Sequence, residues 1–178
     1  MSRRQVLDAA GIADALRRIA AGIVAREGQG RELAVIGIRR RGVPLAERIA
    51  ALLAERGEAP RTGALDITLY RDDLTLVADQ PVVRATEIDF PVDGLRVVLV
   101  DDVLFTGRTV RAAIDALFAL GRPARIELAA LVDRGHRELP FAADHVGVTL
   151  DTRRDERVEV CLRELDASDE VVVVGGAG

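Results

Sequence analysis

The sequence predicts an α/β fold built on an open, mainly parallel sheet flanked by helices. Three stretches carry that reading. Residues 97–100 form an apolar, β-branched run that empties into Asp101 and Asp102; Leu33 to Ile38 empties into Arg39, Arg40 and Arg41; and residues 126–132 empty into a charged loop at 133–140. Continuous apolar runs of this length suit strands buried on both faces, as parallel strands are. Helical periodicity follows the first two. Strands that deliver polar loops at one edge place a ligand at their carboxyl ends.

In chain order, Ile12, Leu16, Ile19 and Ile23 recur at helical spacing, so a first amphipathic helix is expected, ending near Gly28. The strand from Leu33 to Ile38 leads into a second helix carrying Val43, Leu45, Ile49 and Leu52, with Pro44 suited to its first turn. Leu65, Ile67 and Leu69 alternate with polar neighbours, which predicts a short strand. A polar excursion from Tyr70 to Pro81 is long for a connector: either a lid or a hairpin with ordinary surface charges. Residues 82–88 are expected to return as its paired strand, and Asp93-Gly94 to turn the chain into the central strand. Beyond that strand Val110, Ile114, Leu117 and Leu120 mark a third helix, stopped by Gly121 and Pro123. Three short strands follow, at 144–148, 158–162 and 171–174. The chain is expected to be one domain over residues 1–178, with residues 175–178 frayed.

Composition excludes several chemistries. All 25 basic residues are arginine. A Walker-type phosphate loop, a Schiff-base enzyme and a pyridoxal phosphate enzyme each need a lysine, so none can be built here. His136 and His145 are the only imidazoles and Cys161 is the only thiol, which leaves no zinc constellation and no internal disulfide. Cys161 lies in a valine-rich strand and is expected to be buried and inert. No G-x-G-x-x-G follows any strand, so a nicotinamide-binding reading is poor. The chain carries no stretch that would span a membrane and no secretory leader, which predicts a cytoplasmic protein.

The central stretch has its own chemistry. Thr106 to Thr109 should open the third helix, where free amides and the positive end of the dipole accept an anion. Gly107 lets the backbone approach a phosphate, Thr106 and Thr109 can donate to it, and Arg108 adds charge. Asp101 and Asp102 cannot hold phosphate. They accept hydrogen bonds from sugar hydroxyls or organise a hydrated magnesium ion. Together these residues describe a sugar-phosphate site. Arg39, Arg40 and Arg41 would repel one another without an anion or carboxylates nearby, which suggests either a second anion site or a solvated basic turn.

At this point the chain resembles the type I phosphoribosyltransferases. The likeness extends through Ile38-Arg39-Arg40-Arg41-Gly42, through Asp66-Ile67-Thr68-Leu69-Tyr70-Arg71-Asp72-Asp73-Leu74, and through Leu131-Val132-Asp133-Arg134-Gly135-His136-Arg137-Glu138-Leu139-Pro140. In order and spacing these segments are similar to the bifunctional family of pyrimidine operon regulators and uracil phosphoribosyltransferases, over about residues 7–173. The resemblance implies phosphoribosyl diphosphate and uracil as substrates, with uridine monophosphate and pyrophosphate as products. It gives Asp101 and Asp102 the ribose hydroxyls, and Val103, Leu104, Phe105, Thr106, Gly107, Arg108 and Thr109 the 5-phosphate loop. Arg40, Arg41 and Arg71 take the pyrophosphate end, with Asp101, Asp102 and Arg71 as the catalytic set. It places uracil near Arg134 and Val158, under a small hood formed by the tail strands, and makes the loop after Tyr70 a flexible β-hairpin. Magnesium would be held mainly by substrate and water, with no direct protein ligand.

The same resemblance implies a role of another class: binding the leader RNA of the pyrimidine operon under the control of uridine mono- and triphosphate, through Arg17, Arg18, His136 and Arg137. The alternative is a solvated arginine-rich surface. It also implies a homodimer or higher homo-oligomer. Two further readings stay open, a transferase for another base without RNA regulation and an RNA-binding regulator with little catalysis. The chain departs from the family at Arg40, where members carry threonine or a similar residue, and in the 147–154 segment, where they carry a lysine and Pro-Thr-Ser.

Overall fold

The computed structural model describes residues 2–26, 32–72 and 85–175. Its main layer is a five-stranded, wholly parallel sheet, in the order β3 (Arg61–Leu65), β2 (Leu33–Ile38), β4 (Arg96–Leu104), β5 (Arg125–Asp133) and β6 (His145–Thr149). The apolar strands alternate their side chains between two cores. Val35, Val98, Val100, Ala129 and Leu131 face α1 (Ala9–Ala25) and α2 (Gly42–Ala54). Ala34, Ile36, Val97, Leu99, Leu128 and Ala130 face α3 (Arg108–Phe118), which answers with Val110, Ala113 and Leu117. Ile12, Leu16, Ile19 and Ile23 all point into the first core, as their spacing requires.

Chain order reverses in the middle of this sheet. From β2 the chain passes through α2 to β3 on one side, whereas β4 leads through α3 to β5 on the other, so the topological switch point lies between β2 and β4. In open α/β sheets that crevice receives the ligand. It opens here between the arginine loop and the acidic strand end.

A second, antiparallel sheet is formed by β1 (Arg3–Leu7), β8 (Glu170–Val174) and β7 (Arg157–Cys161). It is the hood expected of the tail, with two changes. Residues 144–148 do not join it, because β6 pairs with β5 and extends the main sheet instead. The third hood strand comes from the amino terminus. Its partner, β8, lies more than 160 residues away in sequence. The Gly175 amide donates to the Ser2 carbonyl at 2.7 Å, and residues 176–178 of the expected frayed tail lie outside the described residues.

Other boundaries also move. The alternation of Leu65, Ile67 and Leu69 is not a strand. β3 ends at Leu65, and the Asp66 carboxylate accepts from the Thr68 amide at 2.8 Å and the Thr68 hydroxyl at 2.6 Å, turning residues 68–70 into a single 3₁₀ turn with Leu69 exposed. α1 ends at Ala25, and Gly28 lies outside the described residues. So do residues 73–84, most of the expected hairpin. Glu87 pairs with Ala64 through an isolated antiparallel bridge. Cys161 is half-buried rather than buried, and burial first, then the charges of Asp166 and Glu170, push its thiol up, which disfavours the thiolate. Among the described residues no helix is long and apolar enough to cross a membrane.

Candidate functional site

The turn after β4 is shaped by its glycine and stitched from behind. Gly107 caps α3 with φ of 91°, a left-handed conformation, and a Cβ there would meet Phe141 at 3.2 Å. The Thr106 carbonyl accepts from the Glu138 and Leu139 amides at 2.9 and 3.0 Å, and the Leu104 carbonyl from the Arg134 amide at 3.1 Å. The Arg108 amide donates to the Thr106 hydroxyl at 3.3 Å, and the Thr109 and Val110 amides that follow it at the start of α3 are placed to meet an anion. A cavity of about 140 Å³ lies there, lined by Arg71, Asp72, Thr106, Arg108 and Thr109. Its size and donors suit a phosphate group. A larger cavity of about 490 Å³ runs between α2, β3 and residues 86–89, but it contains neither the acidic pair nor the amide-lined turn.

Arg108 is not a free charge in this cradle. Its Nη1 lies 2.6 Å from Asp72 and its Nε 2.8 Å from Glu138. Hydrogen bonds from Arg108 and then Arg154 hold the Glu138 carboxyl below the usual range. The donors that face an anion are therefore chiefly the amides and the two threonines, with Arg71 lining the same cavity.

The two acids differ in setting. By strand alternation Asp101 follows Val97 and Leu99 while Asp102 follows Val98 and Val100, so the pair straddles the end of the sheet. Each side chain turns back on the next amide: Asp101 accepts from Asp102 N at 3.0 Å, and Asp102 from Val103 N at 2.9 Å. Asp101 is buried and Asp102 half-buried. Burial first, then the adjacent charge of Asp102, raises the Asp101 carboxyl well above its ordinary range. Gly42, the first residue of α2, closes the other side, where a Cβ would lie 2.2 Å from the Val100 carbonyl oxygen. Only glycine lets that helix start so close to the acids.

The three arginines after β2 diverge. The Arg39–Arg40 peptide is cis. Arg39 bonds the Ala85 carbonyl and pairs with Glu87 at 2.9 Å. Arg40 is exposed, and its side chain makes no hydrogen bond or ion pair with the described residues. Arg41 turns to the hood, where its Nε donates to the Val160 carbonyl at 2.6 Å and its Nη2 meets both Asp166 oxygens at 3.2 and 3.3 Å. Carboxylates thus answer the repulsion for two of the three.

On the far side of the turn, Arg134 is buried with its guanidinium 4.2 Å from the Phe105 ring centroid, a cation–π contact. Arg134 also donates to Thr152 Oγ1 at 3.2 Å and to the Arg153 carbonyl at 2.8 Å. His136, at φ of 61°, sets its ring edge-on to Phe105 and its Nε2 2.6 Å from the Thr152 carbonyl. Val158 packs against the first core from β7. These contacts clip the altered 147–154 segment to the loop after β5. Thr152, Glu138 and Asp166 were not singled out in the sequence, although Thr152 sits in the segment that departs from the family pattern.

Comparison with known proteins decides the family. Residues 2–161 match the family model described as a phosphoribosyl transferase domain. The chain is 57% identical to the bifunctional protein PyrR of Chloroflexus aurantiacus, covering 99% of this chain and 97% of the relative, and 55% identical to that of Pelotomaculum thermopropionicum, covering 97% and 96%. It belongs to the PyrR family of phosphoribosyltransferases. Solved structures agree on the fold. The hypoxanthine phosphoribosyltransferase of Trypanosoma cruzi superposes with a TM-score of 0.71 at 16% identity, covering 98% of this chain and 97% of that one. The Staphylococcus aureus hypoxanthine phosphoribosyltransferase gives 0.70 at 16%, covering 98% and 92%.

In this PyrR-family chain the four residues expected to meet RNA fall into two pairs. Arg17 and Arg18 are exposed on α1, with Arg17 paired to Asp14 and Arg18 donating to the Gly147 carbonyl at 2.7 Å. His136 is turned onto Thr152. Arg137 is spent inside the loop, on the Phe141 and Phe105 carbonyls at 2.9 Å each and on Asp133 at 2.6 Å. It braces the turn after β4 from behind.

Proposed function

We propose that the chain transfers the 5-phosphoribosyl group of phosphoribosyl diphosphate to uracil, giving uridine monophosphate and pyrophosphate, as a single catalytic domain in the cytoplasm. The observation that carries this reading is the placement of the acidic pair and the amide-lined turn together at the topological switch point. The 5-phosphate sits on the first turn of α3, donated to by its amides, Thr106 and Thr109. Asp102, the more accessible acid, accepts from a ribose hydroxyl, and Asp101 accepts beside it. The bond from the anomeric carbon to the pyrophosphate oxygen breaks with its electron pair going to that oxygen, and uracil N1 closes on the anomeric carbon as its proton leaves. Positive charge grows on the ribose ring beside the acids, and negative charge grows on the leaving group, which Arg40, without a hydrogen bond or ion pair among the described residues, and Arg71 would face. No side-chain nucleophile is needed.

Magnesium fits this site only in part through protein. Among the described residues no group of three or more histidine, cysteine, aspartate or glutamate side chains is placed to hold a metal ion. Asp101 and Asp102 offer carboxylate oxygens to a hydrated ion whose other ligands are substrate oxygens. Bound there, magnesium would neutralise the departing pyrophosphate.

Base choice rests on the Arg134, Phe105 and Val158 neighbourhood and on the family. A panel of uracil, cytosine, orotate, hypoxanthine and guanine, assayed for pyrophosphate release, is expected to show turnover with uracil alone. Turnover with a purine and none with uracil would replace the substrate and keep the phosphoribosyl site.

The relatives are named bifunctional, which supports a second role as a pyrimidine-operon leader RNA binder that senses uridine mono- and triphosphate, in a homodimer or higher oligomer. Net charge is −4, so RNA contact would be local, through Arg17 and Arg18 on α1. A gel shift with leader RNA across a salt series is expected to show binding that uridine monophosphate strengthens and salt weakens. Absence of any shift at low salt, with or without the nucleotide, would remove this role and leave the enzyme.

A further inference from the structure

Arg41 links the parts of the molecule that face the two substrates. It precedes α2 at the switch point, and its guanidinium reaches the hood at two places, the Val160 carbonyl inside β7 and the Asp166 carboxylate just beyond it. Asp166 is itself fixed: its Oδ2 accepts from the Leu162 amide at 3.0 Å, and its own amide donates to the Leu162 carbonyl at 2.6 Å. On the other side, Gly42 packs so closely on the Val100 carbonyl, one residue before Asp101, that an added Cβ would lie 2.2 Å from its oxygen. The hood is therefore linked from Asp166 through Arg41 and Gly42 to the strand end at Val100 that carries the acidic pair, and the same β7 carries Val158.

We propose that Asp166 is a positioning residue for phosphoribosyl transfer: by holding Arg41 against β7, it sets the distance between the hood and the acidic pair, and so the width of the base subsite. This rests on the uracil transferase reading above and gives Arg41 a role other than gripping pyrophosphate. The Arg41–Asp166 pair is about one-third exposed on each side, and pairs of that kind contribute little to stability. Its removal should leave the fold intact while letting the hood drift.

Asp166→Asn keeps an oxygen for the Leu162 amide but loses the charge that holds Arg41. It is expected to raise KM for uracil by about tenfold, since small misplacements of a bound reactant are costly, with KM for phosphoribosyl diphosphate and the melting temperature nearly unchanged. Arg41→Gln should do the same, and the double variant should be no worse than either single one, because both act through one contact. An unchanged uracil KM in Asp166→Asn, with an active parent enzyme, overturns the proposal. So does an Arg41→Gln enzyme impaired only towards phosphoribosyl diphosphate, which would return Arg41 to the pyrophosphate. A parent enzyme inactive with every base overturns the transferase reading, and this proposal with it.

Discussion

Replacing Asp101 and Asp102 together by asparagine is expected to reduce uridine monophosphate synthesis by about 10²–10⁴-fold in kcat/KM. Hydrogen bonds to a charged partner are worth about 1.5–3 kcal/mol each, and the double change removes charge from two. Asparagine preserves shape, so the phosphate turn should still bind inorganic phosphate. Stability should move the other way. Asp101 is buried at the sheet end, and burial with the neighbouring charge of Asp102 lifts its carboxyl well above the ordinary range. A carboxyl whose folded pKa lies above its unfolded value holds its proton more tightly when folded, so it takes stability away as pH rises through that interval. Asp101→Asn removes that loss. The variant should melt higher than the parent at neutral pH and by a smaller margin in acid, the pattern expected where a site keeps a strained charge for function. Thermal melts at two pH values beside steady-state assays check both signs. Full activity in the double variant would dismiss the ribose assignment.

The central strand, turn and helix could be read from residues 97–118 because every local signal agreed: an apolar run, two acids, one glycine, then helical spacing. The same agreement marked β2 and α2. What escaped the sequence was governed by distant partners. Residues 144–148 have the composition of any short strand, and only the free edge of β5 recruits them to the main sheet. β1 is five residues with two arginines, a strand only because β8 lies beside it. The strand assigned at 65–69 failed for a local reason, since the Asp66 side chain captures Thr68 and breaks the alternation.

Arginine side chains were the least legible part of the site. Residues 39–41 and 137 stand where a substrate or RNA contact fits, yet a long side chain with five donors selects among many acceptors. Here Arg39 selects Glu87, Arg41 selects Asp166, and Arg137 selects Asp133 with a set of loop carbonyls. Those acceptors are remote in sequence for all but Arg137. Types and spacing pointed to a candidate anion-binding region, while the division of labour within it depended on tertiary neighbours.

At the opposite edge of the sheet, Glu127→Gln is expected to destabilise the protein by about 3–5 kcal/mol, the usual result of breaking a buried ion pair from one side, without changing either KM. Arg96, Glu127 and His145 begin or nearly begin β4, β5 and β6, and all three are buried. Arg96 donates to both Glu127 oxygens at 2.8 and 3.0 Å and to the Ile23 carbonyl at the end of α1, and His145 Nε2 lies 2.8 Å from Glu127. The cluster joins three strands and one helix through a single carboxylate. Burial alone would raise the Glu127 carboxyl. Hydrogen bonds from Arg96 and His145, and their charges, outweigh it and bring it from 4.5 to about 2. For a carboxyl depressed in this way, the stabilisation is present above its unfolded value and is lost as pH falls through the folded one. The parent should therefore lose stability between pH 4.5 and about 2, and Glu127→Gln should show a shallower fall over that window from a lower starting point. Urea melts across the acid range measure both. Because the proposed substrate contacts lie at the carboxyl ends of these strands, a variant that melted like the parent but failed to bind phosphoribosyl diphosphate would contradict this division between a stabilising edge and a catalytic one.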